Sequence, residues 1–192
     1  RQLHKSGNWW LRLPQEDFCQ ALGVVPEMKY QNEGGPDLTQ CFDLVRRVTR
    51  PSAPHVLRLF DGVIFNALIG NHDAHAKNFS LLYAGQKPVL APFYDLLSTA
   101  VYPTLTPKMA MKIGSHYRWW DIRLQDWQST AVSMNLDPAA TLHMLATMAA
   151  RLPGEAHEVN LQLRAEGLGH AVVDRLVQEL HLASARLLAK LK

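Results

Sequence analysis

Residues 55–69 carry Val56, Leu59, Phe60, Val63, Ile64, Ala67 and Leu68, an apolar face too broad for a helix lying on a surface. Such a helix must be enclosed, so the chain has to supply other elements to cover it. Gly70 stands where the helix should stop. The next eight residues, Asn71-His72-Asp73-Ala74-His75-Ala76-Lys77-Asn78, are almost wholly polar, which is poor packing material and suits a loop that carries chemistry. Two short apolar runs, 79–83 and 88–92, then flank Ala84-Gly85-Gln86-Lys87 and predict a β-hairpin.

Elsewhere the pattern is helical. Gln15 to Leu22 reads as a short helix, with Pro14 before it and Gly23 after it. Residues 26–36 are loop-like, ending in Gly34-Gly35-Pro36, and 37–49 repeat Leu38, Phe42, Val45 and Val48 at helical spacing. Pro51-Ser52-Ala53-Pro54 separates that helix from the broad apolar one. Residues 96–109 are Pro-rich and irregular, and Ala110 to Ile113 suit a short strand. Helices are expected at about 124–134, 138–151, 154–166 and 170–191, with Pro153-Gly154 dividing the second from the third. The last carries Val173, Leu176, Val177, Leu180, Leu187, Leu188 and Leu191 as a core stripe. The fold class is therefore mostly α with a small β-hairpin.

Composition narrows the function. In 192 residues, 20 Lys+Arg oppose 17 Asp+Glu for a formal +3, too weak a charge to imply a polyanion partner. No apolar run is long enough to span a membrane. Cys19 and Cys41 are too few for a disulfide framework or a thiolate metal site, and read as reduced, packed thiols of a cytoplasmic protein. The opening Arg1-Gln2-Leu3-His4-Lys5 lacks both an initiator Met and a secretory apolar segment, as expected of a piece of a longer chain. Trp9-Trp10 and Trp119-Trp120 are expected to pack at helix ends. The His116–Trp120 patch is a weak nucleic-acid signal on so nearly neutral a chain.

The hairpin register brings the polar loop toward a second acid. If Tyr83 faces Pro88, paired residue numbers sum to 171, Asn78 lies opposite Phe93, and Asp95 follows at the open end. With strands about 4.8 Å apart, Asn78 and Asp95 converge within about 10 Å. An amide oxygen beside a carboxylate suits a hard divalent ion such as Mg²⁺. Asp73, five residues before Asn78, is placed to serve as a base for a hydroxyl. This order, Asp, then Asn five residues on, then Asp after a hairpin, is that of a protein-kinase catalytic loop and its metal aspartate.

Gly70 to Asn78 followed by Pro92-Phe93-Tyr94-Asp95 resembles the C-terminal kinase lobe of the HipA family of bacterial serine/threonine protein kinase toxins. The resemblance extends to Gln15–Gln20, Glu33-Gly34-Gly35-Pro36 and Met109–Gly114, and so to most of the chain. It implies one HipA-like catalytic lobe over 1–192, with Asp73 orienting the acceptor hydroxyl and Asn78 and Asp95 holding Mg²⁺ against the phosphates of ATP. His75 and Lys77 complete the catalytic set. His75 is expected as a hydrogen-bonded scaffold of the loop ahead of the alternative, a proton carrier, and Lys77 either neutralises γ-phosphate charge or pairs with a loop carboxylate. The partners implied are a protein substrate and a small HipB-like DNA-binding antitoxin, with DNA approached only through that antitoxin. No phosphate-covering glycine loop is found, since the only G-x-G is Gly167-Leu168-Gly169. The ATP-binding N-terminal lobe is thus missing from these residues, and the lobe alone is expected to be nearly inactive.

Two other readings use the same residues. His72-Asp73 matches the core of an HD-type metal phosphohydrolase, with His55 and Asp95 as further ligands, and calls for several ligands converging on a transition metal. A kinase-fold interaction module without catalysis is the other, although Asp73, Asn78 and Asp95 together argue against it.

Overall fold

The computed structural model describes residues 2–3, 7 and 9–191. Arg1, His4 and Lys5 of the polar opening stretch lie outside the described residues. The chain divides into two compact units, one of residues 1–59 and 75–95, the other of residues 60–74 and 96–192.

In the first unit, β1 (Gln2–Leu3) pairs antiparallel with β2 (Trp10–Leu11). Next come β3 (Gln15–Asp17) and α1 (Phe18–Ala21), where the sequence predicts a single helix from 15 to 22. The reason for the difference is Asp17. Its carboxylate accepts the Gln20 N–H at 2.9 Å, and the Gln20 side-chain oxygen accepts the Asp17 N–H at 2.9 Å, a reciprocal cap that fixes the helix start there. An N-cap residue is extended, so residues 15–17 are free to pair with a strand. A second cap of the same kind, Asp37 with Gln40, opens α2 (Leu38–Val48), which buries Leu38, Cys41, Phe42, Leu44 and Val45.

The broad apolar helix is α3 (Ser52–Leu68), and all seven of the apolar residues that define it are buried. It starts earlier than its sequence suggests because Pro54 falls in the first turn, where a missing N–H costs nothing. After the polar loop, β4 (Ser80–Leu82) and β5 (Val89–Leu90) form the expected hairpin, with Leu81 opposite Leu90 and Leu82 opposite Val89. Residues 15–17 add a third antiparallel strand to β4, giving the order β3-β4-β5.

The second unit holds α4 (Leu124–Ser133), α5 (Pro138–Ala165) and α6 (Ala171–Lys190). The two helices expected over 138–166 are one, running through Pro153. Proline there forfeits one backbone bond and crowds the preceding turn. Packing keeps both halves in line. Leu145 and Ala149 are buried before it, and beyond it Asn160 donates to Asp174 of α6 at 2.8 Å. On α6, Val177, Leu180 and Leu187 of the expected stripe are buried. Trp127, also buried, meets Phe60 edge-on, with ring centres 6.2 Å apart.

Residues 110–113 form no strand. The Ala110 N–H is taken by the His72 carbonyl at 2.7 Å and Met109 bonds to Tyr117, leaving an isolated bridge between Ile113 and His116. Of the four paired tryptophans Trp119 packs edge-on to Trp127, while Trp9, Trp10 and Trp120 are about half exposed or more, Trp120 lying under the Arg118 guanidinium. Among the described residues no helix is long and apolar enough to cross a membrane.

Candidate functional site

The polar loop is held from both sides, each within one unit. In the second unit, Gly70 ends the helix with φ +68, a left-handed turn that glycine adopts without penalty. Its carbonyl accepts the N–H groups of Thr99 and Ala100, both at 3.0 Å, and the Thr99 hydroxyl, also at 3.0 Å. The same hydroxyl oxygen accepts the His72 N–H at 2.8 Å. Asn71, buried, donates its amide to the Asn66 side chain at 2.8 Å and accepts the Asp73 N–H at 3.3 Å. The backbone on either side of Asp73 is therefore fixed while Asp73 itself stays half-buried. Burial pushes the His72 imidazole down from its ordinary value, with a hydrogen bond to the Thr106 carbonyl opposing.

In the first unit, residues 76–78 make one tight helical turn. The buried Asn78 uses both ends of its amide. Its oxygen accepts the His75 N–H at 3.2 Å, and its nitrogen donates to the Asp95 carboxylate. The structure thus brings together the two residues that the hairpin register predicts will converge. His75 is buried, its ring edge-on to Tyr30 at 5.5 Å, and Lys77 is half-buried. Asp95 is exposed and takes φ 57, one of two left-handed non-glycine residues among those described. An aspartate tolerates that region better than most residues, and strained backbone of this kind gathers at functional sites.

Three residues that the sequence reading leaves aside brace this arrangement. Arg58 of α3 donates to the carbonyls of Leu90 (3.3 Å) and Ala91 (3.0 Å) and lies over the Phe93 ring at 5.3 Å. Its signal was a lone cation among the apolar residues of a buried helix. Asn66 sits in the same helix and donates to the Gly62 carbonyl at 2.9 Å while receiving Asn71. Tyr94 bonds to the Lys77 carbonyl and to Ser80. Burial raises its phenol above the ordinary value, so the hydroxyl keeps its proton. Burial likewise raises the thiols of Cys19 and Cys41, both free and packed, and the Lys77 ammonium partly opposes this at Cys19.

Chemically, the Asn78–Asp95 pair offers an amide oxygen with a second lone pair and an exposed carboxylate. This all-oxygen set fits a hard divalent cation completed by water and phosphate oxygens. Among the described residues no group of three or more His, Cys, Asp or Glu is placed to hold a metal ion, whereas an HD-type hydrolase needs such a group.

Comparison with known proteins bears on the same point. The profile of the HipA-like C-terminal domain matches residues 1–156. A Sinorhizobium fredii protein that bears a kinase name, Y4mE, is 56% identical over 120 residues, which is 62% of this chain and 29% of that protein. The Shewanella oneidensis serine/threonine-protein kinase toxin HipA is 28% identical over 160 residues, covering 77% of this chain and 36% of its own. A solved complex of Shewanella oneidensis HipA, HipB and operator DNA aligns over 92% of this chain and 44% of the matched one, with TM-score 0.81 and 25% identity. The chain spans about a third of the length of these curated relatives. The fold is that of a protein-kinase-like C-terminal lobe. More particularly, the chain belongs to the HipA family, through its HipA-like C-terminal domain.

Proposed function

We propose that this chain is the catalytic lobe of a HipA-type serine/threonine protein kinase, transferring the γ-phosphoryl group of ATP to a protein hydroxyl. The observation that carries the reading is the Asn78–Asp95 hydrogen bond, which puts an amide and an exposed carboxylate at one hairpin mouth. In this reading Asn78 and Asp95 hold Mg²⁺. The ion, when bound, neutralises charge on the phosphate oxygens. Asp73 accepts the proton of the acceptor hydroxyl and orients its oxygen, its backbone steadied by Asn71. His75 shapes the turn from its buried position, and Lys77 presents a cation where negative charge develops. ATP also requires a second, N-terminal lobe, in line with the greater length of the relatives.

The solved relative was captured with HipB and operator DNA. By analogy a HipB-like antitoxin is the partner proposed here, with DNA reached only through it, in the cytoplasm.

The test uses this chain within its full-length protein. That protein and an Asp73→Asn copy are incubated with Mg²⁺-ATP and weighed by intact mass spectrometry. Added phosphate on the unmutated protein alone supports the kinase. Equal phosphate on both removes Asp73 from the mechanism. No phosphate on either, together with a tightly held transition metal, favours the hydrolase.

A further inference from the structure

Tyr94 makes a contact that its ring alone does not explain. Packing in this segment falls to its neighbour Phe93, which meets Phe79 edge-on at 6.1 Å and lies under Arg58. Tyr94 itself is 37% exposed, and its distinguishing atom is the hydroxyl. That oxygen lies 2.5 Å from the Lys77 carbonyl and 2.6 Å from Ser80 Oγ. A carbonyl only accepts, and a phenol has one proton. The proton therefore goes to Lys77, and the Ser80 hydroxyl donates to the phenol oxygen. Ser80 is a firm anchor, since it is buried in β4, opposite Asp17, and its carbonyl accepts the Ala91 N–H at 2.8 Å.

Lys77 directly precedes Asn78, and Tyr94 directly precedes Asp95. The phenol thus ties the same two backbone segments that the Asn78–Asp95 bond ties one residue further along. Asp95 needs such a tie. At φ 57 its backbone sits in a sparsely populated well, from which rotation would swing the carboxylate away from Asn78. We infer that Tyr94 is a positioning residue: its hydroxyl, clamped between Ser80 and the Lys77 carbonyl, holds Asp95 against Asn78 in the geometry that binds the divalent cation. The inference rests on the reading of Asn78 and Asp95 as ligands.

The probe is the Mn²⁺–ATP complex, titrated into the full-length protein and followed by water-proton relaxation, alongside phosphoryl transfer as a function of Mg²⁺. Tyr94→Phe keeps the ring and removes both hydrogen bonds. It should weaken Mn²⁺ binding about tenfold, as loss of a group that orients a ligand does. It should also raise the Mg²⁺ needed for half-maximal rate by a similar factor, with kcat recovering at saturating Mg²⁺. Ser80→Ala removes only one of the bonds and should shift both quantities less, in the same direction; it carries the test if Tyr94→Phe does not fold. Unchanged Mn²⁺ affinity in Tyr94→Phe, or a fall in kcat that excess Mg²⁺ does not restore, overturns the role of Tyr94. Asp95→Asn separates the two ideas. If it binds Mn²⁺ as the unmutated protein does, the reading of the site itself fails, whereas loss in Asp95→Asn beside no change in Tyr94→Phe sinks the positioning role alone.

Discussion

The Asn78 side-chain nitrogen donates to the Asp95 carboxylate across 17 residues of sequence, while the amide oxygen of the same side chain accepts the His75 N–H. Both ends of the amide are committed, so flipping it would lose both bonds, one of them charge-assisted. Asn78 is thereby fixed in orientation before any ligand arrives, which is what a binding site built on a loop requires.

The left-handed backbone of Asp95 sorts substitutions by shape as well as charge. Asp95→Asn keeps an acceptor for Asn78 and tolerates the conformation, so urea unfolding should find it close to the unmutated chain. Asp95→Val loses the acceptor and also forces a β-branched residue into that region, which costs about 1–2 kcal/mol for the backbone alone. Equal stability of the two variants would show that the conformation is not maintained in solution.

Arg58 secures the segment leading to Asp95 through two carbonyls and one ring. Arg58→Ala should lower unfolding free energy by about 1.5–3 kcal/mol, the range for hydrogen bonds to a charged donor. Arg58→Lys should recover little, because an ammonium cannot reach both carbonyls and lie flat on Phe93. Full recovery by lysine would reduce the role of Arg58 to its charge.

Gly70 combines φ +68 with a crowded neighbour: a Cβ there would stand 2.5 Å from Ala100 Cβ. Gly70→Ala should cost at least about 2 kcal/mol, from the left-handed backbone and the clash together. Calorimetry would register it as a Tm lowered by about 4 °C or more for a chain of this size. An unchanged Tm would show that the 98–100 segment does not lie over the helix end.

His72 makes stability depend on pH with a definite sign. Its folded-state pKa is lowered by burial from the ordinary 6.5, so between those two values the unfolded chain binds more protons than the folded one. The contribution is fully present above pH 6.5 and is lost as pH falls toward the folded value. Denaturation at a series of pH values should show this slope in the unmutated chain and a shallower one in His72→Gln. Parallel slopes would place the imidazole in solvent.

How far the sequence could be read follows the range of the forces involved. The hairpin register was legible because strand pairing propagates residue by residue from a recognisable turn; Leu81 does face Leu90. The burial of seven apolar residues of α3 was legible from spacing alone. Residues 15–17 were not, since their pairing partners lie 63–67 residues away in β4 and only the Asp17–Gln20 cap marks where the helix begins. The uninterrupted α5 was also hidden. A proline next to a glycine is a local stop signal, and tertiary packing on both sides of Pro153 outweighs it. At the site, the convergence of Asn78 and Asp95 could be deduced, but the roles of Tyr94 and Arg58 could not, because both bond to backbone carbonyls, whose positions a side-chain pattern does not give even where it marks the residue.

The central claim is that Asn78 and Asp95 work as one unit. A double-mutant cycle tests it most directly, measuring phosphoryl transfer by the full-length protein and its Asn78→Ala, Asp95→Asn and doubly substituted forms at fixed Mg²⁺-ATP. Each single change should lower kcat by roughly 10²–10³, as removing one preorganised electrostatic contact does, and the double variant should be little worse than the more damaged single one. Losses that multiply, or either single variant turning over at the unmutated rate, would contradict the account.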